Sequence, residues 1–253
     1  MALATVPTMA STPVEESPHY RPLYRQVYDS LVRQIAEGAW RPGEALPSEQ
    51  ALAARLGVSQ GTVRKALDTL AVEKLIERRQ GKGTYVAEHT AERSLFRFFK
   101  LTLPDGTRAT PTTEEGETVR RRAARAPELK RLGLAPGASV VEINRVRSID
   151  GSPAILERIL LPVALFPDID KRIPLPNALY ALYQREYGQN IVAAEEELHA
   201  DVARREDAKR LGVVVGTPLL HIERVGIGVD GTRVEWRTSR CDTRRLVYAV
   251  TLS

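Results

Sequence analysis

Two groups of residues carry polar chemistry at spacings that regular structure can use. The first is Ser59-Gln60-Gly61-Thr62 with Arg64 one turn further on, followed by Arg78-Arg79-Gln80-Gly81-Lys82. Glutamine can pair bidentately with adenine in the major groove, and arginine with guanine. Both near the start of one helix therefore suit the reading of base edges. Arg78, Arg79 and Lys82 beside glycine suit the neutralising of phosphates, which adds affinity without sequence information. The second group is Arg145 and Arg147. One residue apart on a strand, they point to the same face. Two guanidiniums there repel unless an anion or carboxylates lie between them, and arginine is well suited to bidentate carboxylate or phosphate recognition. An exposed basic strand face, or pairing with Glu157 or Glu235, fits the same spacing about as well.

Other polar residues offer less. His19, His89, His199 and His221 lack metal-ligand spacing, and Cys241 is the single cysteine, so neither a zinc site nor a disulfide within the chain is expected. Glu195-Glu196-Glu197 reads as a solvated strand edge. No serine–histidine–acid signature and no phosphate-cradling loop is present, so catalysis and cofactors are not expected.

The elements that must position the first group are legible from periodicity. Tyr24, Val27, Tyr28, Leu31 and Ile35 make one helical stripe over Pro22 to Gly38. Ser48 can cap a second helix, with Glu49 well placed in its first turn, that buries Leu52, Ala53 and Leu56 and stops at Gly57. Ser59 can cap a third, running to about Lys74, that buries Val63, Ala66, Leu67 and Leu70. Leu75 to Arg79 and Thr84 to Val86 then read as a hairpin around Gln80-Gly81-Lys82-Gly83, a basic wing. Residues 22–86 are thus expected to form a winged helix-turn-helix.

The chain of 253 residues has room for a second domain. Its net charge of +5 is compatible with a nucleic-acid partner. No apolar run is long enough to span a membrane. The expected divisions are a disordered leader over 1–19, the winged helix-turn-helix over 20–87, a linker over 88–94, and an effector-binding and dimerisation domain over 95–253. The leader lacks the pattern of a signal peptide, which with a single cysteine points to the cytoplasm. Residues 104–118 read as a loop. Pro127–Val146 and Glu206–Val225 align without gaps, sharing among others Leu132/Leu211, Gly133/Gly212 and Arg145/Arg224. Each copy reads as a short helix, a glycine turn, a strand, an Asp-Gly hairpin (Asp150-Gly151, Asp230-Gly231) and a return strand. Two such units imply an α+β domain with an antiparallel sheet and approximate two-fold symmetry.

The stretch Pro22-Leu23-Tyr24, Pro42-Gly43, Leu46-Pro47-Ser48-Glu49, Gly57-Val58-Ser59, Thr62-Val63-Arg64-Lys65-Ala66-Leu67 and Gly81-Lys82-Gly83-Thr84-Tyr85-Val86 resembles the DNA-binding domain of the GntR family. Arg145-Val146-Arg147 with Asp150-Gly151-Ser152-Pro153 resembles the UTRA effector-binding domain of its HutC subfamily. The resemblance implies a chorismate-lyase-like fold with a six-stranded antiparallel sheet. It implies DNA contacts at Ser48, Gln50, Ser59, Gln60, Gly61, Thr62, Arg64, Lys65, Arg79, Gln80, Gly81 and Lys82. The family commonly has arginine where Gln50 and Gln60 stand, so an altered operator preference is expected. It also implies an effector pocket at Arg145, Arg147, Glu157, Ala178, Tyr180, Glu235 and Cys241. Phosphosugar-sensing members carry serine at the position of Ala178 and tyrosine at that of Cys241. The loss of two hydroxyls favours a small carboxylate over a phosphosugar.

The expected protein is a ligand-responsive repressor that binds a palindromic operator as a homodimer. An enzyme built on the lyase-like fold is one alternative, though no general acid–base pair stands out, and an architectural DNA binder without a ligand is another. If Gln60 reads a base, Gln60→Arg shifts selection from a randomised duplex library towards guanine at one position of each half-site. An unchanged preference would rule that role out.

Overall fold

The computed structural model describes residues 21–88, 98–114 and 116–251. The expected leader and nearly all of the expected linker lie outside them.

In the N-terminal part, α1 (Leu23–Ala36) buries Val27, Leu31 and Ile35, and Pro22 stands at its N-cap. The stripe read from the sequence is therefore the buried one, with Tyr28 packed at its margin. Helices α2 (Glu49–Leu56) and α3 (Gln60–Val72) are each capped by a serine hydroxyl, Ser48 Oγ accepting from the Ala51 amide and Ser59 Oγ from that of Thr62. Gly57 closes α2 with φ +66°, a left-handed conformation that costs little only without a Cβ. Strands β1 (Ile76–Arg79) and β2 (Gly83–Val86) pair from Ile76–Val86 to Arg79–Gly83, forming the wing. One apolar cluster, including Leu31, Leu52, Leu67, Leu70 and Ile76, holds helices and wing together.

The second part is one antiparallel sheet. Strands β4 (Thr112–Thr113) and β5 (Thr118–Ala123) share one edge of β6 (Ser139–Ile149). The order then continues through β7 (Ser152–Pro162), β10 (Arg233–Asp242), β9 (Pro218–Gly228) and β8 (Ile191–Val202). Seven strands among the described residues thus occupy the six positions that the resemblance implies. A further short pair, β3 (Leu101–Thr102) with β11 (Val247–Tyr248), lies apart from it. The span 104–118 is not wholly a loop, because Thr112 and Thr113 pair with Ser148 and Arg147. A two-residue strand carries no periodicity that a sequence can reveal.

The repeat is visible as topology. Helix α4 (Ala126–Leu132) precedes the β6–β7 hairpin, and α6 (Arg205–Leu211) precedes β9–β10. The hairpins meet antiparallel along β7 and β10. The first turns on two left-handed residues, Asp150 and Gly151. The second is not the same tight turn. Residues 229–232 connect the strands, only Gly231 has positive φ there, and Asp230 binds the Thr232 amide and hydroxyl. Leu132 packs with Val140 and Leu160, and Leu211 with Leu156 and Leu219, placing α4 and α6 on one face. Helix α5 (Leu179–Tyr187) packs through Leu179, Tyr180, Leu182 and Tyr183 with Ile143, Ile159 and Val234 on the other. Among the described residues no helix is long and apolar enough to cross a membrane.

On the α4 side, Glu128 and Glu142 are buried and bind Arg122 and Arg158. Hydrogen bonding to Arg122 leads in holding Glu128 at about 2. Burial pushes Glu142 up, but Arg122 and Arg158 bring it to about 2 as well. Both carboxyls lie below their ordinary 4.5, so they contribute stability above that pH that is lost as pH falls towards 2. Thermal melts should therefore drop steeply between pH 4.5 and 2, and Glu142→Gln should flatten that dependence.

Candidate nucleic-acid interface and buried arginine pocket

The start of α3 presents an exposed polar surface. Gln50, Ser59, Gln60, Gly61, Arg64 and Lys65 are exposed, and Thr62 is half-buried. Capping occupies Ser48 Oγ and Ser59 Oγ, and the latter also meets Thr62 Oγ1 at 2.8 Å. Lys65 sits 4.2 Å above the Tyr24 ring. On the wing, Arg79 stacks on Tyr85 at 4.2 Å, while Gln80, Gly81 and Lys82 form the exposed tip.

Arg78 is ion-paired with other elements of this part. Strand alternation turns it to the face opposite Arg79. It lies 2.8 Å from Asp68 and 3.3 Å from Glu49. Glu49 also accepts from Arg64 Nε at 2.9 Å and from Gln60 Nε2 at 3.3 Å. The Arg64 hydrogen bond leads in lowering the Glu49 pKa. Sequence reading places Glu49 in the first turn of α2 but misses this convergence, because its partners come from two other elements.

The second polar site lies on the α5 face of the sheet. A cavity of about 50 Å³ is bounded by strand residues including Arg145, Arg147, Glu157, Arg224, Arg237 and Ser239. It is covered by Asn177–Tyr180 at the start of α5 and by Phe98–Leu101 with Tyr248. The paired rows explain the grouping. Arg145 faces Glu157 across β6 and β7, and Arg237 faces Arg224 across β10 and β9.

Glu157 is the common acceptor. It receives Arg145 Nε at 2.7 Å and Nη1 of both Arg147 and Arg237 at 3.2 Å. Burial alone would raise its carboxyl, but Arg145, Arg237 and Arg147 hold it well below the ordinary value. The exposed-strand reading of the arginine pair fails, since Arg145 and Arg147 are 1% and 2% exposed. Pairing with Glu157 is present, and it leaves the two guanidiniums in different states. Arg147 donates also to the Pro111 and Thr112 carbonyls and to Asn177, so it holds the β4 edge and the start of α5. Its burial and the nearby cations lower its pKa to about 10. Arg145 keeps Nη1 buried without a hydrogen-bond partner among the described residues.

Arg145, Arg147, Glu157, Ala178 and Tyr180 all border the cavity, but Glu235 and Cys241 do not. Glu235 is fully buried behind the wall, where it accepts from Tyr180, Tyr183 and both Nε and Nη2 of Arg237. Burial and then Glu235 raise the pKa of both tyrosines. Cys241 is buried in an apolar cluster with Leu101, Ile155 and Leu246, and burial pushes its thiol up. Arg224 and Arg237 are pocket residues that sequence reading did not select. The signal for Arg224 was its place as repeat mate of Arg145. Arg224 binds Glu196 and the Phe98 carbonyl, so the acidic run is not uniformly solvated: Glu196 points inward to Arg224 and Tyr248, while Glu195 and Glu197 are exposed. Ala178 is the α5 N-cap and supplies no side-chain cap, so the positive end of that helix borders the pocket. Among the described residues no acidic, histidine or cysteine group could hold a metal ion.

A model of bacterial regulatory proteins of the gntR family matches residues 23–86, and a UTRA domain model matches 111–246. The mannosyl-D-glycerate transport/metabolism system repressor MngR of Escherichia coli (strain K12) is 31% identical over 224 residues, covering 88% of this chain and 93% of that one. The transcriptional repressor NagR of Bacillus subtilis (strain 168) is 29% identical, covering 85% and 88%. The solved ligand-binding domain of a GntR-family regulator from Bordetella bronchiseptica is 30% identical with a TM-score of 0.56, covering 62% of this chain and 98% of that one.

Removing the shared acceptor leaves Arg145, Arg147 and Arg237 buried without it. Breaking such a pair costs about 3–5 kcal/mol. Glu157→Gln should therefore lower the melting temperature markedly, and millimolar phosphate or acetate should restore part of the loss. Absence of anion rescue would argue against an anion-accepting pocket.

Proposed function

Because the chain belongs to the GntR family of bacterial regulators, with a UTRA domain behind its winged helix-turn-helix, we propose that a small carboxylate in the Arg145 pocket sets its affinity for DNA. At the coarser level it is a transcriptional repressor with a ligand-binding C-terminal domain, not an enzyme.

The observation that carries the carboxylate reading is Arg145 Nη1, a buried donor without a hydrogen-bond partner among the described residues, beside a small cavity. An unmet buried donor is costly, and an anion's oxygen removes that cost on binding. Four guanidiniums, of Arg145, Arg147, Arg224 and Arg237, meet the three carboxylates of Glu157, Glu196 and Glu235, which leaves a positive excess. The cavity has room for a few waters, which suits a compact ligand. Ala178 gives no hydroxyl for a sugar. The name of the Escherichia coli relative includes glycerate, which is itself a carboxylate.

The route from pocket to DNA runs through Phe98 and Lys100. Both border the anion pocket and also a crevice lined by Val72, Glu73 and Lys74 at the end of α3. Arg224 holds the Phe98 carbonyl, so a ligand that draws on Arg224 loosens that segment. Val192 and Val229 pack against the helix-turn-helix core, and Gln184 donates to the Ala87 carbonyl at 3.0 Å. These contacts give the DNA-binding part a ligand-sensitive seat. The reading extends to a cytoplasmic homodimer on a palindromic operator, with base and backbone contacts drawn from Ser48, Gln50, Ser59, Gln60, Gly61, Thr62, Arg64, Lys65 and Arg79–Lys82.

In thermal melts and gel shifts with candidate metabolites, a carboxylate should raise the melting temperature and release the operator. Arg145→Met should abolish both responses while ligand-free operator affinity stays within about twofold, because the residue contacts no DNA. Stabilisation by a hexosamine phosphate and by no carboxylate would overturn the proposal.

A further inference from the structure

A carboxylate in the middle of a phosphate-binding surface opposes affinity, and Glu49 lies there with its side chain 18% exposed. Its three partners are the side chains of Gln60, Arg64 and Arg78, from the start of α3, one turn further along it, and the wing. We infer that Glu49 is a specificity-determining positioning residue, which fixes Gln60 and Arg64 for base reading and restrains Arg64 and Arg78 from phosphates. The inference rests on the reading that Gln60 and Arg64 face bases.

The geometry follows donor by donor. Arg64 gives Nε at 2.9 Å and Nη2 at 2.8 Å to one oxygen of Glu49. That engages one edge of the guanidinium and leaves the Nη1–Nη2 edge for the two acceptors of guanine. Gln60 donates Nε2 to the same oxygen at 3.3 Å. Its amide orientation is thereby set, with Oε1 and one remaining N–H available for the donor–acceptor pair of adenine. Arg78 takes the other oxygen of Glu49 at 3.3 Å and Asp68 at 2.8 Å, so a cation of the wing is tied to α2 and α3. A flexible arginine follows the nearest phosphate whatever the sequence, whereas one clamped on two nitrogens presents a fixed edge. Glu49 thus trades non-specific attraction for discrimination.

The test compares the full-length protein with Glu49→Gln, Arg64→Ala and the double variant on a randomised duplex library and on non-specific duplex, across a salt series. Glu49→Gln should bind non-specific duplex more tightly, by about fivefold or more at low salt. Its log–log salt slope should steepen by about one to two, as one or two guanidiniums reach phosphates. The ratio of specific to non-specific affinity should fall at least about tenfold, and the base preference at the Arg64 position should flatten. In the Arg64→Ala background Glu49→Gln should cause little further loss of that preference. An unchanged slope and preference would overturn the inference, as would parallel loss of specific and non-specific binding with a lowered melting temperature. If Arg64→Ala itself leaves base preference intact, the base-reading assignment fails. If Arg64→Ala alters it and Glu49→Gln does not, only the role of Glu49 fails.

Discussion

The effector-domain core is organised around a buried charge that must be balanced. Glu157 lies inside the protein and is tolerated there because Arg145, Arg147 and Arg237 converge on it. The same convergence keeps the guanidiniums in an apolar setting that would otherwise expel them. Arg147 extends the hold to Pro111, Thr112 and Asn177, fixing one sheet edge and the start of α5. Arg237 extends it to Glu235 and hence to Tyr180 and Tyr183 on α5. At the pocket, Arg145 Nη1 has no acceptor among the described residues.

Internal duplication explains why the charges meet. Two helix–hairpin units joined along β7 and β10 bring equivalent positions together at the middle of the sheet. Arg145 and Arg224 are repeat mates, one beside Glu157 and the other beside Arg237. A symmetric fold thus carries a reversed charge at matching positions. That reversal lets Arg237 of one half bind Glu157 of the other, tying the halves together.

A related device operates in both parts of the chain. Glu49 gathers polar side chains of α3 and the wing much as Glu157 gathers guanidiniums within the sheet. In each case a carboxylate fixes donors that would otherwise sample many rotamers. The exposed cluster is screened by solvent and can rearrange readily, while the buried one is screened much less.

Much of the architecture was readable from the sequence because it depends on local chemistry. The stripe of Val27, Leu31 and Ile35, the serine caps at Ser48 and Ser59, the glycine stop at Gly57 and the Asp150-Gly151 turn each state their role within a few residues. The alternation of Arg145 and Arg147 likewise places them on one face. Tertiary structure alone decided what those residues meet. It made Arg147 a strut and left Arg145 with a donor to offer, withdrew Glu235 and Cys241 behind the wall, and brought Arg224 and Arg237 to the cavity. It also gathered Gln60, Arg64 and Arg78 on Glu49. Periodicity fixes which way a side chain points within its own element. Its partners come from strands and helices distant in the chain, and only the pairing of those elements determines which charge lies opposite.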